Sequence, residues 1–202
     1  MKKILLLFIV CLAFTGCFST KKYHVALNED VKQVQTLDGI TVSCEFLNEG
    51  QTNAMFGRDN NPFYSKDFAV TPIYFFVFEV EIKNETNMPL KYDCRDTVFY
   101  MGEKDAIACT VTDLETMFEE DSDTPGTTKL KMERNARATM FKNVHRIMPG
   151  ESIKRLMVFK ENFRQRGDGR LELNLLYQNG EIADTFAFDY SFQKLKDTKK
   201  YK

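Results

Sequence analysis

The stretch that decides the fold is IYFFVFEVEIK, residues 73–83. Apolar side chains occupy every second position along it: Tyr74, Phe76, Phe78, Val80 and Ile82. In its second half the alternate positions are charged, which is the period-two pattern of a β-strand with one buried face. Phe75 and Val77 make the first half apolar on both faces. We therefore predict a strand inside a sheet, with its first half covered on both sides.

Similar short segments run along the rest of the chain between turn signals. The other predicted strands are residues 40–47, 90–94, 98–101, 106–111, 153–159, 171–177 and 182–192. Asn179-Gly180 is the clearest hairpin turn, because this dipeptide suits the positive φ angles of a two-residue loop. The 18 Phe and 8 Tyr residues also suit strands. About seven or eight strands at this spacing predict an all-β, antiparallel β-sandwich, with a partly open β-barrel as the alternative.

One short helix is predicted at residues 112–120, TDLETMFEE. Thr112 or Asp113 would cap its N-terminus, where acidic residues also suit the helix dipole. Its apolar face would consist of Leu114, Met117 and Phe118. Residues 128–146 carry mixed charge and no clean period, so no structure is assigned to them.

The N-terminal end has the features of a secretory signal. Lys2 and Lys3 precede an apolar stretch, residues 4–14, which is well short of the roughly 20 apolar residues that a membrane-spanning helix needs. Phe14-Thr15-Gly16-Cys17 follows directly and resembles a bacterial lipobox, with Phe14 where Leu is usual. The resemblance implies that residues 1–16 are removed and that Cys17 is acylated as the first mature residue.

Acylation of Cys17 would attach the protein to a membrane through its N-terminal lipid, because two or three acyl chains anchor far more firmly than one. The residue after Cys17 is Phe18, without the Asp that retains enteric lipoproteins in the inner membrane, so the outer membrane is favoured. The polar stretch 17–37 is expected to form a tether and 38–192 the β-sandwich domain. Residues 193–202 would form a basic C-terminal tail.

Two further sequences resemble a known kind of domain. FFVFEVEIKNETNMPLKY (75–92) ends a strand on Val80-x-Ile82-x-Asn84 before a turn, close to the V-x-V-x-I-x-N pattern of such domains, and IMPGESIKRLMVFK (147–160) contains a Pro-Gly-Glu turn that leads into a strand. Both are similar to the uncharacterised immunoglobulin-like domains of bacterial lipoproteins. The resemblance covers roughly residues 73–192 and implies an immunoglobulin-like sandwich, without an activity or site residues. The chain lacks the Trp that antibody-type domains place in their core.

Charge argues against one class of partner. The chain has 28 basic and 29 acidic residues, and loss of Lys2 and Lys3 with the signal leaves 26 basic residues and a net charge of −3. No basic stripe offsets this balance, so nucleic-acid binding is not expected.

Three cysteines remain in the predicted mature chain besides Cys17, namely Cys44, Cys94 and Cys109. An exported protein can form disulfides, and an odd number leaves one thiol over. Cys94 precedes the predicted 98–111 hairpin and Cys109 lies near its end, so they are the preferred pair, although all three pairings stay open.

Catalysis is not expected, because the predicted mature chain has only His24 and His145 and no sequence motif of a hydrolase, phosphate-binding loop or zinc protease. No cofactor is predicted. Four methionines near His145 could bind copper(I), although methionine more often fills a core. They are Met132, Met140, Met148 and Met157. Asp121 starts a calcium-like sequence, but its twelfth position is Met132, where a carboxylate is required, so a solvated acidic loop is preferred.

The sequence therefore predicts a non-enzymatic, lipid-anchored binding module of the cell envelope that contacts an envelope protein. The long connection 48–71 is the first candidate binding loop, with Phe56, Arg58 and Phe63 as its binding residues. The acidic segment 112–127 is the second candidate. A copper carrier and a purely structural envelope protein are the alternatives.

Overall fold

The protein is described by a computed structural model for residues 23–27, 32–63, 74–122, 124–161 and 167–196. The predicted signal and Cys17 lie outside these ranges. The strands are β1 (Tyr23–Leu27), β2 (Gln33–Leu37), β3 (Ile40–Leu47), β4 (Tyr74–Asn84), β5 (Leu90–Asp93), β6 (Thr97–Met101), β7 (Lys104–Ile107), β8 (Val144–Ile147), β9 (Ser152–Glu161), β10 (Gly167–Tyr177) and β11 (Ile182–Lys196). The helices are α1 (Glu49–Phe56), α2 (Val111–Glu120) and α3 (Gly126–Thr139).

These strands form two antiparallel sheets. The large sheet has the order β1-β11-β10-β5-β8, with β6 paired to β10 and β7 paired to β6. The small sheet has the order β2-β3-β4-β9. Within the described ranges, the strands of the small sheet form ladders only with one another, so the predicted sandwich is confirmed and the barrel alternative is not formed.

Strand β4 corresponds to the segment 73–83, from which the fold was predicted, and it lies inside the small sheet. It pairs with β3 and β9, so that Phe78 lies opposite Phe46 on one side and Met157 on the other. Phe76 and Phe78 are fully buried between the sheets, while Val77 is buried on the opposite face. The expected burial of both faces is therefore confirmed.

Aromatic side chains fill the core between the sheets. The Phe78 ring lies 5.5 Å from Phe46, 5.4 Å from Phe99 and 5.2 Å from Tyr190. Such tilted or edge-on pairs each contribute about 0.5–1.5 kcal/mol beyond their buried area. The aromatic pattern in the sequence thus becomes one continuous cluster that joins both sheets.

A helical layer covers the outer face of the small sheet, where the sequence predicted one short helix. Its core consists of Leu47, Phe63, Val77, Leu114, Phe118, Met132, Ala136, Met140, Leu156 and Val158. The prediction of an all-β sandwich with a single helix is therefore wrong in this detail, because three helices pack on the sheet. No helix in the described parts of the chain has the length and apolar character needed to cross a bilayer.

The helices differ in how well the sequence predicts them. The predicted helix 112–120 is confirmed as α2, but its N-cap is Thr110, which exchanges hydrogen bonds with Asp113 in a capping box. Helix α3 lies largely in the unassigned segment 128–146, and its buried residues are only Met132 and Ala136. One apolar position per turn is too narrow a stripe to show a helical period.

Two strands occupy part of the stretch 17–37 that the sequence indicated as a tether. In β2, the side-chain amides of Gln33 and Gln35 donate hydrogen bonds to the backbone carbonyls of Asp189 and Ala187 in β11. Strand β1 pairs with the end of β11 up to Lys196, inside the predicted tail. The strands thus run from Tyr23 to Lys196, beyond the expected domain limits of 38 and 192.

Candidate functional site

Four turns meet at one end of the sandwich, which we call the Asn84 end. These turns are residues 37–39, 85–89, 148–151 and 178–181. Backbone hydrogen bonds connect them: Glu85 N–H donates to Gly39 O at 2.7 Å, and Gln178 N–H donates to Pro89 O at 3.1 Å. Turns from both sheets are therefore fastened to one another at this end.

The side chain of Asn84 is fully buried and organises this end. Its Nδ2 donates to Met88 O at 2.8 Å and to Ile147 O at 3.0 Å. Its Oδ1 accepts from the backbone N–H and the hydroxyl of Thr86, at 3.0 and 2.7 Å. One amide thus saturates its hydrogen bonds while it holds the β4–β5 turn against the end of β8.

The Pro-Gly-Glu turn binds the backbone of the same asparagine. Gly150 N–H donates to Asn84 O at 2.7 Å, and Asn84 N–H donates to Glu151 O at 3.0 Å. Gly150 has φ +81°, which favours glycine. The Glu151 carboxylate accepts from Met148 N–H at 2.9 Å. The two motifs noted in the sequence therefore meet in space and share one structural task.

The surface of the Asn84 end combines exposed apolar side chains with negative charge. Four of the exposed large apolar residues lie in or beside its turns: Leu37 (40% exposed), Met88 (39%), Met148 (38%) and Ile182 (69%). The four turns contain the carboxylates of Asp38, Glu85, Glu151 and Glu181 and no Lys or Arg. Lys83, which precedes the 85–89 turn, places its Nζ 2.6 Å from the Glu85 carboxylate.

The predicted binding loop 48–71 mainly serves packing in its described part, residues 48–63. The Phe63 side chain is 4% exposed, and its ring lies 5.8 Å from Phe56 and 6.3 Å from Phe75. Arg58 is exposed in a short 3-10 turn, Arg58–Asn60. The structure therefore packs Phe56 and Phe63 together in the helical layer, and of the three predicted binding residues Arg58 is the exposed one.

The acidic segment 112–127 forms α2 and the start of α3, where an exposed loop was expected at its C-terminal end. The Glu115 carboxylate lies 2.6 Å from the guanidinium of Arg137 and links the two helices. In the calcium-like sequence, Thr124 donates its hydroxyl hydrogen bond to the Asp121 carboxylate. Asp123 lies outside the described residues, and Met132 packs in the helical layer.

The cysteines Cys44, Cys94 and Cys109 all carry free thiols. The preferred Cys94–Cys109 disulfide is thus not formed in this structure. Burial raises the pKa of the Cys44 thiol to about 12 and the pKa values of Cys94 and Cys109 to about 11. Thiols with such pKa values are almost fully protonated at neutral pH and react slowly.

The four methionines considered as copper(I) ligands in the alternative function are not gathered around His145. Met132 and Met140 lie in the core of the helical layer, Met157 lies between the sheets, and Met148 is exposed at the Asn84 end. His145 Nε2 accepts a hydrogen bond from Lys142 N–H at 2.8 Å. In the parts of the chain that the structure describes, no three His, Cys, Asp or Glu residues form a group able to hold a metal ion.

An open cleft of about 470 Å³ lies between the β5–β6 connection and the start of α2. Its polar lining includes Arg95, Asp113 and Asn143. Arg95 makes two hydrogen bonds with the Asp93 carboxylate, at 3.1 and 2.8 Å, and these hold the pKa of Asp93 below its usual value. Asp113 already caps α2. The main charged groups of this cleft are therefore paired within the protein.

The Asn84 end was missed as a surface in the sequence, although both of its motifs were noted. The available signal was the placement of Met88 and Met148 directly before a proline in two turns, where an apolar side chain has no strand to pack in. Whether such a side chain is exposed depends on the opposing turn, which the sequence alone does not show.

The sequence matches no protein-family model and no curated protein. Among solved structures, the chain is similar to a protein of Listeria monocytogenes EGD-e described as functionally unknown, with 10% identity, a TM-score of 0.41 and 74% of each chain covered. It is also similar to a FixG-related protein from Vibrio parahaemolyticus, with 9% identity and a TM-score of 0.30, covering 79% of this chain and 97% of that one. At these values neither likeness extends to a shared function.

Proposed function

We propose that this protein is a lipid-anchored, non-enzymatic binding module of the cell envelope, with an immunoglobulin-like sandwich as its exported domain. The observation that carries the proposal is the sequence Phe14-Thr15-Gly16-Cys17 at the end of a short apolar stretch. Acylation of Cys17 would hold the domain at a membrane surface, the outer membrane being favoured.

The position of β1 supports an anchored arrangement. Strand β1 begins at Tyr23, six residues after Cys17. Six residues span at most about 20 Å, so the lipid would hold this end of the sandwich close to the bilayer. Tyr23 pairs with Lys196 at the end of β11, whereas Ile182 starts β11 beside the Asn84 end. The anchor would therefore lie at the end opposite to the Asn84 end.

The strand order supports the immunoglobulin-like assignment. Immunoglobulin sandwiches place strands A, B and E in one sheet and C, F and G in the other. Here β3, β4 and β9 are neighbours in the small sheet, and β5, β10 and β11 are neighbours in the large sheet. These six strands follow each other in the order A, B, C, E, F, G. Beside β9, where strand D would lie, the backbone N–H groups of Cys109 and Phe141 donate hydrogen bonds to β9.

The local chemistry supports binding more than catalysis. The Nε2 lone pair of His145 is used by Lys142 N–H, and burial raises the pKa of all three thiols. At the Asn84 end, exposed apolar side chains lie together with acidic ones in or beside four joined turns. Such a surface is suited to contact with another macromolecule.

Mass spectrometry of the protein isolated from the cell envelope tests the anchor. The expected result is an N-terminus at Cys17 with added acyl chains, and sedimentation with membranes. A Cys17→Ser variant should lose acylation and appear in the soluble fraction, with Cys44→Ser as the matched control. Unchanged membrane attachment and processing of the Cys17→Ser variant would contradict the proposal.

A further inference from the structure

We propose that the Asn84 end is a docking surface for an envelope protein that presents an apolar patch bordered by Lys and Arg side chains. The proposal deepens the function proposed above and rests on it for the orientation of this end away from the membrane. It rests on three features of the surface itself: its apolar side chains, its charge and its rigidity.

The apolar side chains lie in or beside turns that hydrogen bonds join, and two of them are methionines. Leu37, Met88, Met148 and Ile182 come from four separate chain segments and are each 38–69% exposed. The hydrogen bonds through Asn84 hold the segments of Met88 and Met148 next to each other, because its Nδ2 binds both Met88 O and Ile147 O. Methionine side chains adapt to the shape of a partner, which suits a contact with another protein.

The charge of the surface selects among possible occupants. The four turns carry the carboxylates of Asp38, Glu85, Glu151 and Glu181 and no Lys or Arg. Lys83, just outside the turns, pairs with Glu85, and the turns with Lys83 keep a net negative charge. An anionic bilayer would be repelled by this charge, and so would the same end of a second copy of the chain. A partner with Lys and Arg around an apolar centre would be attracted, since complementary charges steer association and exclude other partners.

The rigidity of the surface favours its use as a binding site. The turns are fixed before any partner arrives, because the side chain of Asn84 and the backbone of Gly150 and Glu151 connect them. A surface that is already ordered loses less conformational entropy when it binds. The hydrogen bonds of this network come from the Asn84 side chain and from backbone groups. The exposed apolar side chains can therefore be replaced without removing those hydrogen bonds.

The orientation of the sandwich makes this end accessible to a partner. Strand β11 has 15 residues, Ile182–Lys196, and at roughly 3.3 Å per residue it spans about 45 Å. With the anchor next to Tyr23, the Asn84 end would project away from the bilayer by about this length. A partner could then reach it without competing with lipid headgroups.

Photo-cross-linking of the full-length protein in its own cells provides the first step of the test. Benzoylphenylalanine placed at 88 or 148 should give the same protein adduct, whereas placement at 100 or 130 should not give it. Tyr100 and Leu130 are also exposed, at 38% and 63%. Tyr100 pairs with Arg170 near the start of β10, at the opposite end of that strand from the Asn84 end, and Leu130 lies in α3. The protein in the adduct is then identified, purified and used as the binding probe.

Binding of this purified protein to variants decides the proposal. Combined Met88→Ser and Met148→Ser substitutions should weaken binding at least about tenfold, as expected when apolar anchors are removed. Combined Glu85→Lys and Glu181→Lys substitutions should slow association about tenfold at low salt, with little effect at high salt. The matched controls are Leu130→Ser for the apolar change and Glu103→Lys with Glu119→Lys for the charge change.

Several outcomes would overturn the docking surface. These are no adduct from positions 88 and 148, an adduct with lipid or a second copy of the chain, an adduct shared with positions 100 and 130, or binding unaffected by the variants. Fractionation of the same cells measures membrane association separately, so that the docking surface and the lipid anchor are tested independently. Loss of membrane association with intact docking would contradict only the anchor, and the reverse result would contradict only the docking surface.

Discussion

At position 84 a single amide connects β4, the β4–β5 turn and the end of β8. Three of the four partners of this amide are backbone groups, namely Met88 O, Ile147 O and the N–H of Thr86. Such a residue is valuable because a buried backbone group without a hydrogen bond is costly. The sequence motif around Asn84 is therefore explained by a structural role, because the asparagine provides hydrogen bonds to backbone groups at a turn. The same logic explains why the Pro-Gly-Glu turn accompanies it far along the chain.

Replacement of Asn84 by Ala should lower the free energy of unfolding by about 2–4 kcal/mol, because Ile147 O and the backbone N–H of Thr86 lose their partner. Urea denaturation of the purified protein measures this loss. Asn87→Ala, at an exposed position of the same turn, should change stability by less than about 0.5 kcal/mol. Equal losses for the two variants would contradict the role of the buried amide.

Gly169 should tolerate no side chain, for a steric reason. A Cβ atom there would lie 2.7 Å from the Phe192 ring and 2.9 Å from the Phe99 ring. Gly169→Ala should therefore destabilise the protein by about 1–3 kcal/mol. Gly126→Ala is the control, because its Cβ meets nothing within 4 Å and Ala favours the start of α3. Thermal unfolding of both variants should give midpoints that move in opposite directions.

His145 should make stability depend on pH. Its pKa is lowered by burial first and then by the positive charges of Arg155 and Lys142. The neutral ring is also the form that accepts from Lys142 N–H. Above the unfolded pKa of about 6.5 both states are neutral, and below it the unfolded state binds the proton more readily, so stability falls.

The pH effect is isolated by comparison with His145→Gln. Urea midpoints of the parent protein should fall between pH 7.5 and the lowered pKa of His145, and the midpoint of the variant should fall less over the same interval. Carboxylates that titrate elsewhere act equally on both proteins. Parallel midpoint curves for the two proteins would show that His145 has no part in the pH dependence.

At the scale of elements, prediction succeeded where a segment carries its own pattern. Strand β4 alternates clearly, β10 and β11 are joined by Asn179-Gly180, and α2 has a capping residue before an apolar face. Strand β2 and helix α3 were missed because contacts with other elements stabilise them, and their own sequences show no clear pattern. The Gln33 and Gln35 amides of β2 bind the backbone of β11, and α3 contributes only Met132 and Ala136 to a core.

The candidate site shows the same limit. Phe56 and Phe63 were predicted to bind a partner because they lie in a long connection, and long connections often carry function. Their aromatic side chains have another reason to be there. The reason is the helical layer, whose other half comes from residues far along the chain, such as Leu114 and Val158. A single sequence shows that an aromatic residue must be covered, but the covering element follows only from the tertiary fold.

Phe63→Ala should therefore act on stability. Loss of a ring that is 4% exposed should cost about 3–5 kcal/mol of unfolding free energy and loosen the helical layer. Arg58→Ala, five residues away and exposed, should change stability by less than about 0.5 kcal/mol. Circular dichroism during urea denaturation measures both. A stable Phe63→Ala variant would restore the interpretation of this segment as a binding loop.

For the whole molecule, the three thiols report how the sandwich opens. Cys44 is fully buried in the inter-sheet core, Cys94 is 1% exposed, and Cys109, next to the start of α2, is partly exposed. Opening of α2 alone could free Cys109, whereas Cys44 becomes accessible only when the two sheets separate. Local and global opening should therefore be distinguishable, because the two processes expose different amounts of surface.

Alkylation of the reduced protein at pH 8, followed by peptide mass spectrometry, measures these openings separately. Cys109 should be labelled first, with a rate that depends weakly on urea, because little surface is exposed when α2 detaches. Cys44 should be labelled last, and its rate should rise with urea as steeply as global unfolding does. Equal urea dependence for both thiols would mean that the helical layer and the two sheets open as one cooperative unit. Rapid labelling of Cys44 in the absence of urea would contradict its burial between the sheets.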